Sequence, residues 1–246
     1  MNEKSIIMIF LIAHFFGDYY FQSDRVAKEK SKNFKQFIYH CLTYSFFMFM
    51  TPGVLIGFKL VWISFYLSVA HFIVDLIKRI YDRKSRNKFK IYILDQILHI
   101  VSIIFVAIFL SDAKSVEITG FLIKILNVFG LDFLSFVKII LSSLIIIKPA
   151  SVTIRLILDK YQLKNIQTFN EGLQNAGNLI GILERMIILL FLAFNHFSAV
   201  GFVLTAKSIA RYEKITKIPE FSEYYLLGTL LSSLIVILVR YTILIF

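Results

Sequence analysis

Eight stretches of this chain are too apolar and too long for the core of a small soluble domain, and they constrain the fold more than any other feature. They fall near residues 5–22, 35–53, 54–78, 91–111, 119–147, 173–194, 197–212 and 223–246. About 20 mostly apolar residues carry a helix across the hydrocarbon of a bilayer. There the backbone must satisfy its own hydrogen bonds, which leaves helices and closed barrels as the only spanning structures. The pattern therefore predicts an all-α, polytopic membrane protein with about 7–8 transmembrane helices. The fifth stretch holds Gly120, Gly130 and Asp132 and exceeds one simple span. Its first part is expected to lie along the interface or to form one arm of a hairpin. Composition agrees, with 58% hydrophobic and only 17% charged residues, outside the usual soluble range. A single cysteine, Cys41, excludes both a disulfide framework and a thiolate zinc cluster. The apolar run from Ser5 has no small-residue cleavage site after it and reads as a retained helix rather than a signal peptide.

A formal charge of +11 would raise the question of nucleic acid in a soluble chain. Here the cations gather in short connections such as "DRVAKEKSKNFK" and "KRIYDRKSRNKFK", whereas "TPG" at 51–53 carries none. Such asymmetry marks cytoplasmic loops. It predicts a multi-pass protein of the cell inner (plasma) membrane with basic loops inside and both termini outside. Arg155, Lys160 and Lys164 fit one further inside loop, and Arg211, Lys214 and Lys217 another. Membrane lipids are the expected partners, no nucleic acid is expected, and the oligomeric state is left open. The chain reads as one integral membrane domain, 1–246. It changes character near residue 115, from a four-helix half bearing His and Asp (1–115) to a half bearing Arg, Lys and Glu (116–246).

Three segments of the first half carry a histidine and an aspartate four residues apart: His14 and Asp18, His71 and Asp75, Asp95 and His99. Each pair lies on one helix face, about 6 Å apart along the axis. His40 opens the second segment. With the predicted topology, all these groups fall toward the cytoplasmic side at one depth. A carboxylate within the bilayer costs on the order of 2.5–3.5 kcal/mol, so such groups face a bundle interior and find partners. A divalent metal (zinc, manganese or iron) would take the imidazoles and carboxylates as ligands and neutralise their charge. Hydrogen-bonded His–Asp pairs without a metal are the competing reading. Candidate metal ligands are His14, Asp18, His71, Asp75, Asp95 and His99. Gln22, Asp24, His40, Lys78 and Gln96 are candidates for further ligands or for groups that hold the ligands. Asp24 is also placed to cap a helix formed by "RVAKEKSKN", and Lys78 either joins a carboxylate or snorkels to the headgroups.

In the second half, "NAGNLIGILERMIIL" brings Asn175, Asn178, Glu184 and Arg185 into an apolar helix, with Gly177 and Gly181 forming a close-packing face. Lys207 and Arg211 share a face of the next segment, and Glu223 opens the last. Asn178, Glu184, Arg185 and Glu223 are read as a structural polar network, closed by a Glu184–Lys207 or an Arg185–Glu223 pair. Alternatively, Lys207 and Arg211 bind an anion such as a phosphate or lipid headgroup. His196 is expected to be a solvated turn residue.

The motifs "AHFFGDYYFQSDRVAKEK", "HFIVDLIK" and "DQILH" resemble the bacterial multi-pass membrane proteins catalogued as domain of unknown function 3307. The motifs "LIGILERMIIL", "AKSIARY" and "EYYLLGTLLS" are similar to a segment often found with that domain. The resemblance implies a membrane location and implies no reaction. Intramembrane His/Asp arrangements are also seen in membrane-bound metal-dependent hydrolases, though the chain lacks a full copy of their motif. Three functions follow as expectations. The first is a metal-dependent hydrolase acting at the cytoplasmic membrane face on a lipid-like or phosphate-bearing substrate. The others are a proton- or ion-coupled transporter and a non-catalytic membrane scaffold. The transporter requires polar groups continuing to the outer leaflet, where the first four segments are mostly Ile, Leu, Phe and Val.

Overall fold

The computed structural model describes residues 1–82, 87–110, 116–161 and 176–245, so Lys164 and Asn175 lie outside the described residues. Apart from short turns and links those residues are helical, without strands. The helices are α1 (Glu3–Phe15), α2 (Asp24–Glu29), α3 (Phe34–Ile56), α4 (Val61–Asp82), α5 (Lys88–Leu110), α6 (Gly120–Phe129), α7 (Phe133–Leu158), α8 (Ala176–Ala193), α9 (Phe197–Ala210), α10 (Tyr212–Lys217) and α11 (Pro219–Val239). Wider π-helical turns continue α1 over Phe16–Tyr20 and α11 over Arg240–Ile245. Among the described residues, five stretches are long and apolar enough to cross a membrane: Phe58–Asp82, Lys88–Phe109, Phe133–Leu158, Ala176–Ala193 and Pro219–Leu244. Gly120–Phe129 and Phe197–Ala210 are apolar but shorter. In α3, Gln36, His40, Thr43 and Ser45 dilute a helix that has the length to span.

Two expected boundaries move. The turn expected at "TPG" lies inside α3, which continues through Pro52 to Ile56 and ends at Gly57. Gly57 has φ +72°, a backbone region open to glycine. The fifth apolar stretch is broken at Gly130, left-handed at φ +62°, into the short α6 and a long α7 that runs past residue 147. Asp132 caps the restart by accepting a 2.9 Å bond from the Ser135 N–H. Arg155 consequently sits in the last turn of α7 rather than in a loop. Likewise α4 and α5 extend to Asp82 and from Lys88, which moves His71 and His99 toward the middle of their helices.

The chain separates into two compact units within α7, Met1–Leu141 and Ser142–Phe246. In the first, α1 packs on α3 and α5, α3 on α4, and α4 on α5, so that four helices close a ring. Ile6, Ile9, Phe10, Met48, Leu67, Ile103 and Ala107 fill one stretch of its interior, and the polar groups fill another. In the second unit, α8 packs on α9 and α11 around Ile146, Ile188, Leu192, Val236 and Val239.

Candidate metal centre

The ring of helices in the first unit carries the polar cluster. His14, Asp18, His40, His71, Asp75, Asp95, Gln96 and His99 are all buried there. The helical period puts them inside. His71 and Asp75 line one face of α4 with Ile63, Ser64 and Leu67, which are buried too, while Trp62, Phe65, Tyr66 and Ile73 point outward. On α5, Asp95, His99, Ile103 and Val106 form the matching inner face.

His14 Nδ1 lies 3.2 Å from the Tyr44 hydroxyl and its Nε2 lies 3.4 Å from Gln96 Oε1. The Gln96 amide donates to Asp18 Oδ2 at 2.9 Å and to Asp95 Oδ2 at 3.1 Å. Since its oxygen faces His14, Gln96 links the α1 pair to the α5 pair. The Tyr44 ring stacks on His71 with centroids 3.5 Å apart, and His71 stacks on His99 at 4.6 Å. Gly17 makes this packing possible: a Cβ there would come within 2.9 Å of Tyr44.

Two lysines enter the cluster from its polar end. Lys78 Nζ lies 2.7 Å from Asp95 Oδ2, the carboxylate pairing considered for it from the sequence. Lys30 was placed by sequence in a basic loop, and the structure turns it inward instead. Its ammonium lies 2.9 Å from His40 Nε2, 3.1 Å from Asp75 Oδ2 and 3.6 Å from Asp18 Oδ1. The short α2 accounts for this. Ser23 caps it by accepting from the Val26 N–H, and Val26, apolar among charges, is buried and pins the helix to the bundle. The cap is therefore Ser23, with Asp24 the first helical residue; the Asp24 side chain lies outside the described residues. Signals for both missed residues exist in the sequence: Lys30 ends the longest quoted motif, and Tyr44 follows His40 by one helical turn.

Each lysine takes one oxygen of its aspartate and leaves the other facing inward. Asp75 Oδ1 and Asp95 Oδ1 are 3.7 and 3.4 Å from His99 Nε2. These contacts have the distance of an ion pair but not the alignment of a hydrogen bond. Asp75 Oδ1, Asp95 Oδ1, His99 Nε2 and both nitrogens of His71 are buried and find no hydrogen-bond partner among the described residues. Two sets have ligand atoms within 4.8 Å of one another: His71, Asp75 and His99, and Asp18, His40 and His71. His14, engaged with Tyr44 and Gln96, belongs to neither set. Gln22 lies half-buried just beyond the π-helical turn, its Oε1 also without a hydrogen-bond partner.

The second unit disposes of its charges differently. Glu184 pairs with Lys207 at 2.5 Å, and Lys207 also donates to Thr229 Oγ1 at 3.1 Å. Arg185 donates to Ile146 O at 2.5 Å and to Ser151 Oγ at 2.6 Å. That carbonyl belongs to the turn before Pro149, a proline inside α7. Of the two pairings weighed from sequence, Glu184–Lys207 is the one formed. Asn178, Arg211 and Glu223 lie exposed. His196 is exposed in its turn, as expected.

The model of the family described as "Protein of unknown function (DUF3307)" matches residues 6–126, from α1 into α6. The match spans every buried group of the His/Asp cluster. No curated protein and no solved structure matches the chain.

Proposed function

We propose, from the premise that residues 6–126 belong to this family of unknown function, that the first unit is a divalent-metal centre serving hydrolysis at the cytoplasmic face of the bacterial inner membrane. In this reading the chain spans the membrane seven or eight times, α1 and α3 joining the five long helices and the shorter α9 making the eighth, and its basic loops are cytoplasmic. The substrate is lipid-like or phosphate-bearing.

One observation carries the proposal. His71, Asp75 and His99 bring buried ligand atoms without hydrogen-bond partners within 4.8 Å of one another, Asp95, which belongs to neither set, places Oδ1 3.4 Å from His99 Nε2, and the outer oxygens of both carboxylates are tied to lysines. Two donors that share one ion at 2.0–2.2 Å lie about 3.4 Å apart in tetrahedral geometry, against 3.4 and 3.7 Å between His99 Nε2 and the two inner oxygens. A buried polar group without a partner costs about 1–3 kcal/mol, and the first unit gathers five such atoms on His71, Asp75, Asp95 and His99, a cost that a bound ion would offset.

A bound divalent ion would supply a water nucleophile at neutral pH and polarise the scissile ester. The protein's own groups supply the rest. Lys78 and Lys30 fix the rotamers of Asp95 and Asp75, and Gln96 holds Asp18 and Asp95 in one plane of hydrogen bonds. Beside Asp75 a pocket is lined by Lys30, Lys78, Arg79, Asp82 and Phe37, three cations that suit an anionic headgroup. The apolar interior of Ile6, Ile9, Phe10, Met48, Leu67, Ile103 and Ala107 weighs against a transport path, which needs polar groups along its length.

The test is metal analysis of protein purified in detergent without chelator, beside the Asp75→Asn variant. Near-stoichiometric zinc, manganese or iron is expected in the parent. The variant should lose at least about 10–100-fold in affinity, as for groups that bind or hold a metal. Hydrolysis of a short-chain phosphatidic acid should follow metal content. A parent protein that takes up no metal when titrated with zinc, manganese or iron defeats the proposal.

A further inference from the structure

The ammonium of Lys30 sits among atoms that look like a second ligand set. It is 2.9 Å from His40 Nε2, 3.1 Å from Asp75 Oδ2 and 3.6 Å from Asp18 Oδ1. These atoms are also close to one another: His40 Nε2 is 3.1 Å from Asp75 Oδ2 and 3.4 Å from Asp18 Oδ1. Such spacings match two donors sharing one ion at about 2.0–2.2 Å. His71, buried and without a hydrogen-bond partner at either nitrogen, places a ligand atom within 4.8 Å of Asp18 and His40 as well. Asp75 therefore faces two positions, through Oδ1 toward His99 and through Oδ2 toward Lys30.

We infer that Asp18, His40 and Asp75 Oδ2 form a second divalent-metal site, that Lys30 holds this site closed with its ammonium, and that Asp75 bridges the two ions when Lys30 withdraws. This inference rests on the reading of the first site given above. Charge favours a device of this kind. Asp18, Asp75 and Asp95 carry three negative charges against the two positive charges of Lys30 and Lys78. One divalent ion turns that balance to a single positive charge, and a second ion in place of the ammonium adds one more. The result suits a phosphate dianion, the ligand that paired metal ions about 3.5–4 Å apart clamp in phosphoryl chemistry. Lys30 also has somewhere to go, since it lines the same pocket as Asp82, a carboxylate outside the cluster. Both the parent and the lysine-free form of the site are thus charge-compensated, with a metal in one and an ammonium in the other.

The experiment is a Mn²⁺ titration of the full chain in detergent after chelator dialysis, followed by equilibrium dialysis and electron paramagnetic resonance. The parent should bind one equivalent tightly and a second about 10–100-fold more weakly. Lys30→Met should bind two equivalents of similar affinity and show an exchange-coupled Mn²⁺ pair, and adding Asp18→Asn should return it to one. One tight equivalent in both parent and Lys30→Met, without coupling, overturns the second site and leaves the first standing. No binding by either defeats the metal reading as a whole. Should Lys30→Met not fold, the parent still decides the matter: saturating Mn²⁺ should raise acylation of Lys30 by an amine-reactive ester, read by peptide mass spectrometry. Unchanged reactivity overturns the inference.

Discussion

In the first unit Asp75 and Asp95 give one oxygen each to a lysine and keep the other turned toward His99, whereas in the second unit Glu184 meets Lys207 directly. Arg185 likewise gives its donors to two carbonyls and two serine hydroxyls. Both units bury charge among apolar helices, at comparable cost. The second uses it to join helices, with the pair linking α8 to α9 and Arg185 linking α8 to α7 and α11. The first holds ligand-type atoms in reserve. Glu184 also keeps an oxygen, Oε1, without a hydrogen-bond partner, so what separates chemistry from scaffolding here is convergence: only in the first unit do such atoms gather with imidazole nitrogens within 4.8 Å of one another among the described residues.

Substitutions can break that contrast. The largest effect is expected in the second unit. Lys207→Met strands Glu184 without its cation and should destabilise the protein by about 3–5 kcal/mol, the usual cost of breaking a buried pair. Adding Glu184→Gln should recover most of the loss. Thermal unfolding in detergent reads both, and an unchanged midpoint in the single variant would end the structural reading of the pair.

Lys78→Met makes the matching cut in the first unit and leaves Asp95 Oδ2 with only the Gln96 amide. The metal-free protein should lose about 1–3 kcal/mol, but saturating Mn²⁺ should restore it, because the ion supplies the missing charge. No metal should rescue Lys207→Met. Equal behaviour of the two variants on adding metal would erase the distinction between the units.

Gly17→Ala tests how closely the first cluster is built. The added methyl meets Tyr44 within 2.9 Å and should cost about 1–3 kcal/mol through overpacking. Because Tyr44 bonds His14 and stacks on His71, metal affinity should fall with stability. A stability loss with unaltered metal binding would separate Tyr44 from the centre. The smallest effect belongs to Ser23→Ala, which removes the cap of α2 and should cost about 1 kcal/mol. Its informative readout is faster acylation of Lys30 as α2 loosens.

The helical architecture and the polar faces were legible in the sequence because hydropathy and the 3.6-residue period act locally. Three His/Asp pairs at helical spacing announce three inward faces, and in the structure all three reach the same cluster. The role of Lys30 was not legible. In a chain of this composition a lysine in "KEKSKN" counts first as a topological charge, and only the burial of Val26 brings α2 against the bundle. The choice between Glu184–Lys207 and Arg185–Glu223 was equally hidden, because it depends on which helices pack rather than on any spacing. The "TPG" turn misled for a third reason. A proline in the last turns of a helix removes one hydrogen bond without stopping the chain, and the turn waits for Gly57.

The π-helical turn at Phe16–Tyr20 has a bearing on how such a cluster could have arisen. A wider turn is what a single inserted residue leaves in an α-helix, and such turns recur at functional sites. Without the extra residue, each position beyond Phe16 would rotate by about 100°, and Asp18 would swing away from His40 and Lys30. A one-residue deletion in "FGDYY" should therefore leave α1 helical yet dismantle the centre, which makes the length of this segment, as much as the identity of its side chains, an inherited requirement.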